Sequence, residues 1–301
     1  MDEEGRVTRL DKYINDLYME PVLFWKENTK MASRIELIES FKDTRSRVKE
    51  NPELAQLTLQ MQAGTMLYLK EYKAMNPAVK STIPDVTVRE DTTFHAASLY
   101  AGKTDKVAVL NFANAYTPGG SVREGIMAQE ECLCRSSNLY AALTMSYLMK
   151  NYYKWNAKYT GEMGTDAVIY SPGVTVFKTD DEKPEDLNDW YQVDVITCAA
   201  PYYNPGRKRP VSYDKLRDVF FGRIRNILEV AAANDVDILV LGAFGCGAFN
   251  NPPDLVAETF RQLLIDMGYG KYFRRVIFAI KGREGDNPNM TAFQNVFSEK
   301  E

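Results

Sequence analysis

Histidine is almost missing: the 301 residues contain one, His95. A Ser-His-Asp triad, a Cys-His dyad or an H-E-x-x-H zinc site would each have to use it. It stands in TTFHAASLY, a short helical stretch with no partner motif, and reads as a packed or capping residue. Catalysis must then lean on carboxylates, backbone amides or groups of the substrate. Cysteine is sparse too. Cys132, Cys134, Cys198 and Cys246 form no C-x-x-C pair and lie in or beside apolar segments, so reduced core thiols are expected rather than a disulfide or a zinc site. Neither a metal nor a cofactor is implied. Long apolar runs are absent, with none near the roughly 18 residues of a membrane span. The opening MDEEGRVTRLDKY has no apolar signal core. A cytoplasmic chain, or a nuclear one in a eukaryote, without a membrane partner is the expectation. An excess of positive charge is also lacking: 37 Lys and Arg against 41 Asp and Glu leave a net charge of −4, so no global field draws nucleic acid. The run Arg207-Lys208-Arg209 is too short to alter this and reads as a solvated loop.

What is present is ordinary globular composition with two kinds of pattern. The first 75 or so residues read as helical. Val7, Leu10, Ile14, Leu17 and Tyr18 mark a helix over 6–20, and Ile35, Leu37, Ile38, Phe41 and Val48 mark another over 31–50. Asn51-Pro52 caps a third helix, whose apolar positions run from Leu54 to Leu69, with Gly64 as a possible break. After Pro77, short apolar strands alternate with helices. Strands are expected at 86–88, 107–111, 167–170, 174–177, 193–198, 238–241 and 276–280. Helices are expected at 93–101, 129–151, 212–234 (Ser212 as N-cap), 251–267 and from Asn287-Pro288 to about Ser298. An aromatic connector over 152–165 and a mobile acidic loop over 179–189 complete the reading. Short continuous apolar strands between helices imply an α/β fold with a mixed, largely parallel sheet covered on both faces. Residues 1–80 are expected as a helical accessory region packed on a core domain of 81–301.

In such sheets ligands bind beyond the carboxyl ends of the strands. Two glycine-rich loops leave such ends: Thr117-Pro118-Gly119-Gly120-Ser121, and Gly242-Ala243-Phe244-Gly245-Cys246-Gly247-Ala248-Phe249. Glycines let a backbone approach a ligand closely, and a nest of amides suits a pyrophosphate. Tight turns use glycine as well, and neither loop is a Rossmann fingerprint or a P-loop. Just after the first loop comes Gln129-Glu130-Glu131 at a helix start. Adjacent glutamates on a helix leave it about 100° apart, so one can act on a leaving oxygen while the other positions a hydroxyl. The alternative is an exposed acidic turn that complements the helix dipole. The following CLCRSS makes a poor solvent face.

The stretch from Asn111 to Ser137 resembles the signature of the poly(ADP-ribose) glycohydrolases, in particular their bacterial-type branch: a glycine triplet, a spacer and QEE. Here these stand as Gly119-Gly120-Ser121 and Gln129-Glu130-Glu131. GAFGCGAF, SPGV at 171–174 and CAAP at 198–201 are similar to further family segments. The resemblance runs from about Val86 to Phe297, and less specifically through the helical N-terminal extension. It implies a three-layer α/β/α macrodomain that binds ADP-ribose, and hydrolysis of ribose–ribose bonds in poly(ADP-ribose). It further implies Glu131 as acid and base, Glu130 as the residue orienting the ribose, and Asn114 on the same ribose. Gly119, Gly120 and Ser121 would wrap the diphosphate from one side, and Gly245, Cys246 and Gly247 from the other. Gln129 and Ala248 belong to the same binding segments, Phe249 would pack on the ribose end, and Asp91 would read the adenine amino group. The implied partners are poly(ADP-ribose) or ADP-ribosylated proteins, with ADP-ribose as product. Ser121 departs from the triplet's third glycine, and a φ that serine tolerates poorly is the concern there. Two other readings share the pocket: a hydrolase of single ADP-ribose groups, and a non-catalytic ADP-ribose reader, for which a carboxylate pair is superfluous.

Overall fold

The computed structural model describes residues 32–69, 72–82, 84–206, 211–282 and 287–298. The helix expected over 6–20 and the run Arg207-Lys208-Arg209 lie outside the described residues. Within them, the apolar strands divide their side chains between two cores. In β3 (Val107–Phe112), Val107 and Val109 join the cluster around Phe94, Leu133 and Leu139, while Ala108 and Leu110 join that around Phe220, Phe260 and Phe293. Strands β6 (Ile238–Leu241) and β7 (Arg275–Ala279) alternate in the same way. A strand covered on both faces must be apolar at successive positions, which is why these runs are continuous.

Seven strands form one sheet. With β1 (Met66–Tyr68), β2 (Asp85–Arg89), β4 (Val168–Lys178) and β5 (Asp186–Cys198), the order is β1-β4-β5-β3-β6-β7-β2. The β5, β3, β6, β7 and β2 strands run parallel, and β4 and β1 are antiparallel at one edge. One face carries α1 (Arg34–Glu50), α2 (Pro52–Gly64), α3 (Thr93–Ser98), α4 (Gln129–Ser136), α5 (Leu139–Leu143) and a helical run over 146–159, here α6. The other carries α7 (Tyr213–Ala233), α8 (Pro253–Arg261) and α9 (Pro288–Phe297). The three-layer α/β/α arrangement is the expected one. The N-caps also stand as read: the side chains of Asn51, Ser212 and Asn287 accept from the backbone N–H groups of Leu54, Lys215 and Met290.

Several expected elements differ. Beyond Gly64 the chain is strand, not helix: Leu67 lies in β1, paired with β4. Pro172 packs where a Cβ of Gly64 would stand, so the helix ends where the next strand crosses it. The long helix expected over 129–151 breaks at Ser137, which bridges to Val176, while Asn138 exchanges two bonds with Thr175. The sheet edge competes for this backbone and wins. The connector expected over 152–165 is instead helical, with a π turn at Met149–Tyr153 that buries Tyr152 and Tyr153. Two short strands merge into β4, which passes Pro172 by a register shift between Ser171 and Val174. The acidic loop is shorter than expected because β5 begins at Asp186. Asp180 within it is buried, accepting from Thr92 Oγ1 at 2.7 Å and from Phe94 N at 2.8 Å. It thereby satisfies the open end of α3.

Residues 32–301 form one compact unit. Its N-terminal helices are tied into it: Phe41 is 2% exposed and sits edge-on to Tyr140, and Thr44 Oγ1 donates to Arg135 O.

Candidate active site

β3 ends at Phe112, and the loop over 113–121 folds back across the start of α4. This fold-back is held by carboxylates. Glu130 Oε2 accepts from Asn114 N at 2.7 Å, and Oε1 accepts from Gly119 N at 3.2 Å and Asn111 Nδ2 at 3.4 Å. Glu131 Oε1 accepts from Ser121 N at 2.9 Å. Glu130 is 3% and Glu131 5% exposed, so an exposed acidic turn is ruled out. Their Cβ atoms leave the helix about 100° apart, yet both carboxylates reach the same place. A Cβ on Gly120 would overlap Glu131 Oε1 and stand 3.4 Å from Glu130 Oε2. Gly120 adopts φ 55° and Gly119 φ 72°, and a Cβ on Gly119 would stand 2.8 Å from the Tyr140 ring. Both positions therefore require glycine on two counts.

Burying a carboxylate costs several kcal/mol, and a charge-assisted hydrogen bond returns roughly 1.5–3 kcal/mol. Glu130 has three such donors and Glu131 one from the loop. Burial, reinforced by the Glu131 charge, pushes Glu130 up to about 8, against the pull of Asn114, Asn111 and Gly119. Burial likewise raises Glu131, against the pull of Ser121 N. Two carboxyls this close titrate as a pair.

The first loop does not present free amides. Gly119 N and Ser121 N face the carboxylates, and Gly120 N donates to Thr117 O. The expectation that all three would wrap a diphosphate meets this competition, because buried carboxylates claim the donors. Ser121 has φ −101°, so the conformational concern raised by its side chain does not arise. Asn114 Oδ1 accepts from Tyr116 N and Thr117 N. Its half-buried carboxamide NH2 has no acceptor among the described residues. Gln129 is spent on the scaffold: Oε1 accepts from Phe112 N, and Nε2 donates to Leu110 O and Thr93 Oγ1. These bonds tie the start of α4 to the end of β3.

The second loop, after β6, is different. Gly245 has φ 77°, and a Cβ there would stand 2.5 Å from the Ala200 Cβ; this pins the loop to the chain leaving β5. A Cβ on Gly247 would meet nothing within 4 Å. The amides of Gly245, Gly247, Ala248 and Phe249 have no acceptor among the described residues, whereas Cys246 N donates to Ala243 O. Burial pushes the Cys246 thiol up to about 12, so it stays neutral. Phe249 meets Tyr202 edge-on at 6.4 Å. Anion-binding capacity at the parallel strand ends therefore lies in this loop.

Asp91 follows β2, which β6 and β7 separate from β3. Its carboxylate is engaged by Thr92 N at 2.9 Å, His95 Nδ1 at 2.6 Å and Arg89 Nε at 2.9 Å. Its buried Oδ2, paired with Arg89, makes no hydrogen bond among the described residues. His95 is exposed rather than packed. All four cysteines are free, and no group of metal-ligating side chains occurs among the described residues.

Some supporting residues escaped the sequence reading. Asn111, fully buried, links Glu130 to Thr197 Oγ1 at 3.2 Å. A lone asparagine ending an apolar strand was a usable signal. Arg223, 1% exposed, donates to Ala199 O and Met163 O and pairs with Asp166 at 3.1 Å. Asn156 Nδ2 donates to Ala115 O at 3.2 Å. Nothing local distinguishes these two from ordinary helix polar residues.

Helices on both faces of a mixed sheet, with the polar loops gathered where the parallel strands end, place the protein among the macrodomain-like α/β/α folds. Comparison with known proteins narrows this. The family profile described as microbial-type PARG, catalytic domain, matches residues 33–179. Poly(ADP-ribose) glycohydrolase from Thermomonospora curvata is 33% identical over 88% of this chain and 100% of its own, with a TM-score of 0.76. The same enzyme bound to the inhibitor ADP-HPD matches at 34% identity over 87% of this chain and 100% of its own, with a TM-score of 0.76. The Deinococcus radiodurans enzyme in complex with ADP-ribose matches at 34% identity over 79% of this chain and 95% of its own, with a TM-score of 0.68. No curated protein sequence matches the chain. The chain belongs to the microbial-type poly(ADP-ribose) glycohydrolase family. Among the described residues no helix is long and apolar enough to cross a membrane.

Proposed function

We propose that the protein hydrolyses the ribose–ribose O-glycosidic bonds of poly(ADP-ribose) and releases ADP-ribose. The observation that carries this reading is the unequal pair of buried carboxylates. Glu130 is surrounded by N–H donors on both oxygens, a setting that favours the ionised form. Those donors only partly offset its burial; burial raises both carboxyls, so the pair holds a proton near neutrality, and Glu131, with one loop donor, is the member that hands it to the substrate. Glu131 then protonates the departing ribose oxygen as the bond to the anomeric carbon breaks. Water attacks that carbon and gives its proton back to Glu131. A raised carboxyl suits this work, because an ordinary glutamate would hold no proton near neutrality.

Glu130 holds the loop through Asn114 N and Gly119 N, and through them sets where the ribose lies. The free NH2 of Asn114 is the donor left for a ribose hydroxyl. The amides of Gly245, Gly247, Ala248 and Phe249 take the diphosphate, with Phe249 against the adjoining ribose. Gly119, Gly120 and Ser121 contribute close approach rather than amides.

The test is the product formed from two substrates by the wild-type protein. ADP-ribose released from the polymer, and none from a protein carrying a single ADP-ribose, is the expected result. Release from the single modification alone would assign the site to that substrate. Binding of ADP-ribose without turnover of either would make the protein a reader.

A further inference from the structure

No Asp or Glu occurs from Cys132 to Gly161, in a chain whose net charge is −4. The exposed side of α6 falls within this stretch. It carries Lys150, Lys154 and Lys158, all exposed, at one-turn spacing. Beside them Trp155 and Tyr159 are 53% and 57% exposed, with ring centroids 4.4 Å apart and planes tilted by 44°. Lys158 Nζ stands 5.1 Å from the Tyr159 ring centroid. Neither aromatic belongs to a core cluster: the opposite side of α6 supplies the core residues Tyr152 and Tyr153.

The same helix is joined to the candidate active site. Asn156 donates to the carbonyl of Ala115, one residue beyond Asn114, and Tyr116 Oη donates to Gly161 O at 2.5 Å. We propose that the exposed side of α6 is a second binding surface for the poly(ADP-ribose) chain, taking adenine rings on Trp155 and Tyr159 and diphosphates on Lys150, Lys154 and Lys158. This rests on the glycohydrolase reading above. Each repeat of that polymer carries an adenine and two phosphates, so it presents stacking faces and negative charge at a regular interval. Aromatic faces accept any base by stacking, and a lysine row follows a backbone without reading sequence. Nucleic acid shares some of this chemistry, but it is less favoured here, because the surface is attached to the loop that holds the ribose.

Binding is measured on the full chain carrying Glu131→Gln, so that labelled long polymer survives, with free ADP-ribose and single-stranded DNA alongside. Adding Trp155→Ala is expected to weaken polymer binding about tenfold and leave ADP-ribose affinity unchanged. Adding Lys150→Ala, Lys154→Ala and Lys158→Ala together is expected to lower the slope of log affinity against log salt by about 2. Unchanged polymer affinity and slope would overturn the proposal. So would an equal loss of ADP-ribose affinity, or DNA bound as tightly as polymer and lost in the same variants. The glycohydrolase reading fails separately, by absence of ADP-ribose release from the wild type.

Discussion

At the residue scale, Gly120 and the two glutamates form one unit. The left-handed φ of 55° disfavours any side chain at 120, and a Cβ there would overlap Glu131 Oε1. Gly120→Ala is therefore expected to displace Glu131 and lower kcat by at least tenfold, in line with displacing a general acid. A kinetic assay at saturating polymer, with circular dichroism to confirm the fold, checks this. The raised carboxyls also set a pH dependence. Glu130 moves from an ordinary 4.5 to about 8 on folding, so between these values the folded state binds more protons than the unfolded state. Stability then falls as pH rises through that window, and is retained below it. Urea midpoints at pH 5 and pH 8 are expected to show this loss, and Glu130→Gln to reduce it. A midpoint that rises with pH in the wild type would contradict the assignment. Glu130 and Glu131 were legible in the sequence as a pair. Their backbone partners were not, because a backbone N–H leaves no trace in residue identity; the Asn111 side chain was the one partner with a signal.

At the element scale, the two glycine loops have diverged in use. The first spends its amides on carboxylates, and the second keeps them open. Two substitutions in the second loop separate binding from folding. Gly247 faces open space, so Gly247→Glu is expected to leave the melting temperature within a degree or two and weaken ADP-ribose by at least tenfold through bulk and like charge. Gly245→Ala is expected to destabilise the fold, since its φ is 77° and Ala200 stands in the way. Calorimetry and thermal unfolding on both variants check this pair. Helix caps such as Asn51-Pro52 and Ser212 were readable because capping is local chemistry. The break at Ser137 and the π turn at Met149–Tyr153 were not, since the neighbouring β4 edge and the burial of two tyrosines decide them. The strand pattern held for the central sheet and blurred at β4 and β1, where Pro172 and a short edge pairing obscured the period.

At the scale of the molecule, we place the start of the domain near residue 32 rather than at 81. The family match begins at 33, β1 is the sheet's own edge, and α1 packs against the helix that carries the glutamates. Phe41 touches Tyr140, whose ring lies against Gly119, so the first described helix reaches the carboxylate loop through two contacts. Phe41→Ala is expected to cost about 3–5 kcal/mol, as for a core aromatic, rather than the small change of a detachable extension. Denaturant unfolding measures this difference. Alternation of apolar strands and helices revealed the layered class at once. Packing of the N-terminal helices on the core was expected from the sequence; the contacts that make it, Phe41 on Tyr140 and Thr44 on Arg135, are tertiary and no local pattern carries them.

The most direct test compares Glu131→Gln with the wild type in ADP-ribose release from poly(ADP-ribose), with ADP-ribose affinity measured on both. The expected result is a fall in kcat of about 10²–10⁴-fold, with affinity within a few-fold of the wild type. Equal rates for the two proteins would contradict the role given to Glu131.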